Sequence, residues 1–304
     1  MGEFRFDPFR GDHVLLAPAR ATTPRSKDVL SGVLLPEPPG MCPFCPGNEP
    51  LTDETLARWP ERGDWDIRVV ANRYPATAHH EVIIDGPEHD LDLVDYPAER
   101  VSRVLRAYRD RARVHAPKPG AIHVYRNRGI RAGSSQPHPH AQLLQAEVVT
   151  RDVQIRWQRA LEHHREHGRS LMRDYLRDEL AEGRRIVAAS DSVVVLCPVA
   201  PRFGYETWVV PREGGGFPTA SDDAIDAVGA ALRAVLPRVL AGRDAYNLIF
   251  RSPPNAHAEH PAAFWMLEIL PRFAVGAGYE QSSGSMLVSV EPEAAASAIR
   301  AEAG

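Results

Sequence analysis

The chain holds only three cysteines, Cys42, Cys45 and Cys197, in 304 residues. That is too few for the disulfide framework of a small secreted protein. Nor is there an excess of positive charge: 36 Lys and Arg stand against 40 Asp and Glu, a net charge of −4. Wrapping nucleic acid is thereby excluded as the main task, although a local basic pocket is not. No stretch approaches the ~20 consecutive apolar residues of a membrane span. The opening segment, residues 1–7, lacks the apolar run of a signal peptide. Gly2 is not followed by the Ser or Thr of a myristoylation motif. A cytoplasmic protein with neither a membrane nor a nucleic-acid partner is expected. Proline and glycine are plentiful, with 27 and 22 residues, which implies many turns. With 43% hydrophobic and 25% charged residues, the chain can bury one large core or two modest ones.

Periodicity predicts strands at 12–17, 67–71, 81–85, 121–126 and about 140–147. Residues 24–66, rich in Pro, Gly and acid, are expected to form loops or a small knuckle. A helix is predicted over 98–113, where Val101, Val104, Leu105, Tyr108 and Ala112 share one face. In the second half, helices are predicted at 153–168 and 171–182, the latter ended by Gly183, and strands at 192–197 and 206–210. A further helix starts from Ser221 as N-cap and carries Ile225, Val228, Leu232, Val235 and Val239 in one stripe, with Pro237 expected to bend its last turn. Strands at 246–251 and 265–270 follow.

The two halves can be laid on one another. NRYPATAHHEVII resembles APRFGYETWVV, HVYRNRG resembles LIFRSPP, and QPHPHAQLL resembles AAFWMLEIL. Glu81 precedes His140 by 59 positions and Glu206 precedes Met266 by 60. The near-constant spacing suggests an internal duplication with one catalytic and one degenerate copy.

The strongest chemical signal is Gly133-Ser134-Ser135-Gln136-Pro137-His138-Pro139-His140-Ala141-Gln142. Histidines two apart on a strand share a face. The small residues before them let a backbone approach a phosphate closely. The second signal is Cys42-Pro43-Phe44-Cys45, half of a zinc site or a redox pair. The proline-rich knuckle suits a metal loop better than a redox motif. Its further ligands would come from His79, His80, His89, His123, His138 and His140.

These residues carry a family resemblance. CPFCPGNE (42–49), RVVANRYPA (68–76), HEVII (80–84), RNRG (126–129), HPHAQ (138–142) and APRFGYETWVVP (200–211) resemble the galactose-1-phosphate uridylyltransferase family of the histidine-triad superfamily. The resemblance covers nearly the whole length. It implies an α+β fold of duplicated half-units, each a mostly antiparallel sheet with packed helices. The expected halves are 1–165, catalytic and bearing the zinc knuckle, and 166–304, lacking the histidine pair and serving sugar recognition. It also implies a homodimer.

The activity implied is ping-pong transfer of a nucleoside monophosphate, uridylyl in the simplest case, between a nucleotide sugar and a sugar 1-phosphate. His140 matches the nucleophile that carries the nucleotide, and Gln142 matches the amide that bonds the phosphoryl oxygens. Gly133, Ser134 and Ser135 match a phosphate cradle, with Ser135 the better hydroxyl donor. Asn72 and Asn127 match nucleotide contacts, and Arg20 matches a basic residue near the phosphates. One structural zinc would sit on Cys42, Cys45, His89 and His138. Phe264 and Met266 stand where many members have a second histidine pair, and Arg251 where an upstream histidine would be. A second metal is therefore not expected. His257 and His260 are read as solvent-exposed. Glu280 and Gln281, in a tail that departs from the family, are the expected sugar-hydroxyl partners. Two alternatives remain: an ADP-sugar phosphorylase that uses inorganic phosphate, and a zinc-stabilised nucleotide-binding protein without catalysis.

Overall fold

A computed structural model describes residues 2–22, 40–272 and 277–302. Its main feature is a ten-stranded antiparallel sheet. In the first half it contains β3 (Thr55–Trp59), β4 (Ile67–Ala71), β5 (His79–Ile84), β6 (Ala121–Arg128) and β7 (His140–Ala146), with α1 (Ala98–His115) between β5 and β6. In the second it contains β8 (Ile186–Ala189), β9 (Val193–Leu196), β10 (Thr207–Pro211), β11 (Tyr246–Arg251) and β12 (Met266–Pro271), with α4 (Asp222–Leu240) between β10 and β11. The strand order is β3-β4-β5-β7-β6-β11-β12-β10-β9-β8. That order is a palindrome once each strand is matched to its counterpart in the other half, which is the duplication seen as topology. The expected α+β architecture of repeated halves is the observed one.

The register corrects one detail. Val82 faces Gln142, and Trp208 faces Glu268, both sixty residues apart. The counterpart of Val82 is therefore Trp208, and pairing Glu81 with Glu206 is out by one residue. Two further helices, α2 (Arg151–His167) and α3 (Leu171–Glu182), link the halves. A small sheet joins β1 (Glu3–Asp7), β2 (Asp12–Leu16) and the parallel β13 (Leu287–Val288), near α5 (Gly278–Ser283) and α6 (Pro292–Ala301).

The sequence stripes become the core. Val101, Val104, Leu105, Tyr108 and Ala112 of α1 are buried in one cluster with Ile225, Val228, Leu232, Val235 and Val239 of α4. Ser221 caps α4, its hydroxyl accepting the Ala224 N–H at 3.1 Å. Gly183 ends α3 in the left-handed conformation. Pro237 lies inside α4, which continues to Leu240. At the α1–α4 crossing a Cβ on Gly229 would lie 2.5 Å from the Ser102 hydroxyl and 3.0 Å from its Cα, so glycine permits the close approach. The strands β1, β3, β8 and β13 and the helices α5 and α6 were not anticipated, and β3 lies within the segment expected to be loop. Its short TLARW run gave no long periodicity. Residues 24–39 of that segment lie outside the described residues.

The halves meet along β6 and β11, with Arg126 at the junction. Its guanidinium is 1% exposed. It donates to Asp85 at 2.8 Å, to Asp92, and to the Tyr246 hydroxyl of β11 at 2.8 Å. Tyr108 of α1 also donates to Asp85, and Tyr246 donates to Asp92 at 2.9 Å. Removing the cation would strand two buried carboxylates. Arg126→Met is expected to destabilise the fold by about 3–5 kcal/mol, read as a lower urea midpoint at an unchanged slope. An unchanged midpoint would contradict this account of the junction.

Candidate active site

The start of β7 places His140 on the sheet face opposite α1. A cleft of about 300 Å³ lies there, and Phe44, Asn72, Tyr74, Val82, Ser135, Gln136, His140 and Gln142 are among its lining residues. His140 Nδ1 donates to the His138 carbonyl at 2.8 Å. That bond fixes the tautomer and leaves Nε2 with its lone pair. Burial lowers the His140 pKa below its ordinary 6.5, against an opposing effect from the bonded carbonyl. The ring is therefore neutral, and nucleophilic, at physiological pH. Phe44 sets its edge against this ring, 5.2 Å between centroids.

Cys42, Cys45, His89 and His138 converge so that one ligand atom from each lies within 4.8 Å of the others. The Sγ–Nδ1 separations are 3.7 Å (Cys42–His138), 3.6 Å (Cys45–His138) and 3.3 Å (Cys45–His89). Two ligands of a tetrahedral zinc, one sulfur and one nitrogen, would sit about 3.6 Å apart. His138 Nε2 donates to the Gly86 carbonyl at 2.9 Å, which turns Nδ1 toward the sulfurs. Burial takes its pKa down to about 4, so it is a neutral imidazole of the kind a metal can take as ligand. Burial and the adjacent Cys42 push the Cys45 thiol up to about 12, so without a cation the sulfur stays protonated. The donor set fits a divalent metal of the zinc type. The knuckle is held by Asn48 donating to the Cys42 carbonyl at 2.9 Å and by Arg68 donating to the Pro43 carbonyl at 3.2 Å.

The other predicted residues divide into those that line the cleft and those that do not. Ser135 and Asn72 line it. Ser134 is buried, its hydroxyl donating to the Gln136 carbonyl at 2.7 Å. Gly133 has φ +82° and ends the turn before it. Asn127 accepts from Asn247 across the junction at 2.7 Å and does not line the cleft. Arg20 is exposed on a short turn, Pro18–Thr22. Glu280 spends its carboxylate on backbone, accepting the Ala277 N–H at 2.7 Å and the Leu287 N–H at 3.3 Å. Neither Glu280 nor Gln281 lines the cleft of its own chain. Phe44, Tyr125 and Asp85 were not singled out as site residues, and His80 only as a candidate zinc ligand. The Phe44 position inside Cys-x-x-Cys was the one available signal.

In the second half Met266 opens β12 as His140 opens β7. Its face is filled by Phe9, Met172, Leu176, Trp208 and Met266, with Phe264 packed against them. Glu268, the counterpart of Gln142, is fully buried among Arg156, Arg202 and Arg251. Burial raises its pKa, but the three arginines more than offset that and hold it well below the ordinary carboxylate value. Arg251 also binds Asp152 at 2.9 Å. His257 is exposed as expected, but His260 is only half-exposed, its ring edge-on to Trp157.

Known proteins resemble the chain in sequence and in fold. Residues 72–150 match the family described as galactose-1-phosphate uridyl transferase, N-terminal domain. An ADP-glucose phosphorylase of Arabidopsis thaliana is 27% identical over 98% of this chain and 92% of its own. A galactose-1-phosphate uridylyltransferase of Neurospora crassa is 24% identical over 68% of each chain. The crystal structure of the Arabidopsis thaliana ADP-glucose phosphorylase with bound ADP-glucose superposes with a TM-score of 0.86, at 26% identity and over 99% of both chains. A uridylyltransferase structure shares the fold with a TM-score of 0.73. Site geometry, sequence and fold together make the chain similar to the galactose-1-phosphate uridylyltransferases and to an ADP-glucose phosphorylase.

Proposed function

We propose that the chain transfers an adenylyl group from an ADP-sugar to inorganic phosphate through a covalent nucleotidyl-histidine at His140. The observation that carries this is the neutral His140 ring, with Nδ1 tied to a carbonyl and Nε2 left to the cleft beside Gln142. The choice of adenylyl over uridylyl rests on the extent of the likeness. The ADP-glucose phosphorylase matches nearly the whole chain, whereas the Neurospora crassa uridylyltransferase matches about two thirds of it. Uridylyl transfer between UDP-glucose and galactose 1-phosphate is the second reading.

In the first step His140 Nε2 attacks the α-phosphorus of ADP-glucose. A nitrogen–phosphorus bond forms, the bond to the bridging oxygen breaks, and glucose 1-phosphate leaves with that oxygen. In the second, a phosphate oxygen attacks the same phosphorus, the nitrogen–phosphorus bond breaks, and ADP departs from a regenerated imidazole. Splitting the transfer lets one site serve both halves. Gln142, Ser135 and Asn72 supply uncharged donors around the phosphates. Cys42, Cys45, His89 and His138 hold one zinc whose contribution is structural, since four protein ligands close the coordination shell. Its loop carries Phe44, which aims the His140 ring. We also infer, from the family resemblance, a homodimer with sugar contacts shared across its interface, in which Gln281 reads the sugar in the partner's cleft.

Purified protein mixed with adenine-labelled ADP-glucose should take up acid-labile label on His140, and added phosphate should release it as ADP. His140→Ala should take up none. Label from UDP-glucose alone would favour the second reading. Because the His140 pKa is lowered, the labelling rate should stay level as pH falls through 6.5 and decline only in more acidic buffer. A decline centred above 6.5 would contradict the neutral, buried ring.

Elemental analysis should find one zinc per chain. The Cys42→Ser/Cys45→Ser variant should lose it together with much of its folding stability. Equal zinc in both proteins would refute the ligand set. Gln281→Ala should weaken use of the sugar substrate about 5- to 150-fold, from the ~1–3 kcal/mol of an unpaired buried partner. Glu280→Ala is the poorer probe because it also uncaps α5. No change in kcat/KM for Gln281→Ala would remove the tail from sugar recognition.

A further inference from the structure

Gln142 can help a phosphate only in one of its two amide orientations. A carbonyl oxygen turned toward the non-bridging oxygens would repel them, whereas the NH₂ end donates to them. In the free side chain the two orientations differ by a half-turn. Around Gln142 they are not equivalent, because two other side chains meet its oxygen. The Tyr125 hydroxyl lies 3.0 Å from Gln142 Oε1, and His80 Nε2 lies 2.9 Å from it.

The protons can be assigned from a group that has no choice. The backbone N–H of Ala76 donates to His80 Nδ1 at 3.1 Å. Nδ1 is therefore an acceptor, and the neutral ring carries its proton on Nε2. That proton goes to Gln142 Oε1. The Asn72 side chain is oriented by the same logic. Its Oδ1 accepts the Tyr74 N–H at 2.9 Å, so its Nδ2 lies 3.2 Å from a ring nitrogen that is itself a donor. That contact is no hydrogen bond, and the Asn72 NH₂ is left for the cleft that this residue lines. Tyr125 is half-buried, and burial holds its phenol above the ordinary value of 10, so it remains a donor at working pH.

We infer that His80 and Tyr125 are positioning residues for nucleotidyl transfer: together they saturate Gln142 Oε1 and thereby present its NH₂, with that of Asn72, as an anion-reading pair beside His140. The inference rests on the proposed nucleotidyl transfer for its consequence, but not for its geometry. The three side chains that meet at this oxygen sit on adjacent strands. His80 is on β5, Tyr125 on β6 and Gln142 on β7 between them, with Tyr125 directly opposite Gln142 in register. The oxygen is thus gripped from both neighbouring strands. Neither flanking residue needs to touch the substrate.

The test is a double-mutant cycle read on the single-turnover rate of His140 labelling by ADP-glucose. Removing one donor from an oxyanion-type site costs about 10²–10³-fold, so Gln142→Ala should fall in that range. Tyr125→Phe leaves His80 as one anchor and should slow labelling about tenfold, with KM changed less than kcat. His80→Ala/Tyr125→Phe should approach the loss seen in Gln142→Ala. In the Gln142→Ala background, Tyr125→Phe should cost nothing further, because its partner is gone. A purely structural role would lower the rate equally in both backgrounds, and that result would overturn the inference. If the wild-type protein takes no label, the functional reading fails and the geometry is judged separately. Nitrogen NMR of the free protein with labelled histidine should then find His80 protonated at Nε2 and bare at Nδ1. The opposite tautomer would overturn the inference by itself.

Discussion

The buried Arg126 is the interaction on which the His138–His140 end of the sheet depends. Its carboxylate partner Asp85 ends the chain's run along β5, and the Asp85 N–H donates to the Pro139 carbonyl between the two histidines of the motif. The next residue, Gly86, supplies the carbonyl that orients His138. One cation therefore fixes the loop after β5, the approach to β7 and, through Tyr246, the strand of the other half that adjoins β6. A fully desolvated guanidinium is tolerable because it is matched by two carboxylates and a phenol, with the geometry a planar fork demands. The Cys/His cluster and the proposed nucleophile are two outlets of this single buried arrangement. His138, the proposed ligand, and His140, the proposed nucleophile, sit two residues apart, on backbone that it holds still.

Duplication explains why the described residues hold one histidine pair of this kind and not two. The second half repeats the strand order faithfully, but the face that would hold a cleft is closed by aromatic and aliphatic side chains from the N-terminal segment and α3. Where the first half places a neutral amide, the second places Glu268. A carboxylate there would repel a phosphate, and three arginines have turned it into a structural centre. Buried charge is retained in both halves, at a junction in one and at a plugged site in the other.

Much of this was legible in the sequence. The α1 and α4 stripes, the α3 boundaries, the Ser221 cap and most strand positions follow from side-chain period and capping chemistry, which are local. HPHAQ and CPFC were legible as chemistry because short spacing forces proximity: His138 and His140 lie two residues apart, Cys42 and Cys45 three. The grouping of His89 with them came from family likeness. What escaped was whatever depends on register. Whether Glu81 or Val82 is matched in the second half is a matter of one residue, which a pattern of alternating hydrophobics tolerates but a sheet does not. His80 and Tyr125, 45 residues apart, meet at one oxygen only because β5 and β6 flank β7. Glu280 is the opposite case. Its polarity suggested ligand binding, but a carboxylate three residues into a short helix is drawn to the free N–H groups at the helix start.

The pairing of β6 with β11 bears on the ancestry of the chain as well as its stability. Cut between the halves, the first would present β6 as an exposed edge, with the backbone donors and acceptors from Val124 to Arg128 open to any neighbouring strand. Two such fragments would be natural templates for one another. A lone ancestral unit would therefore have been driven to pair, and fusing two copies makes that pairing unimolecular and independent of concentration. Once the partner is always present, it need not keep its own chemistry. In the descendant, the second copy survives as the strand the first cannot leave bare.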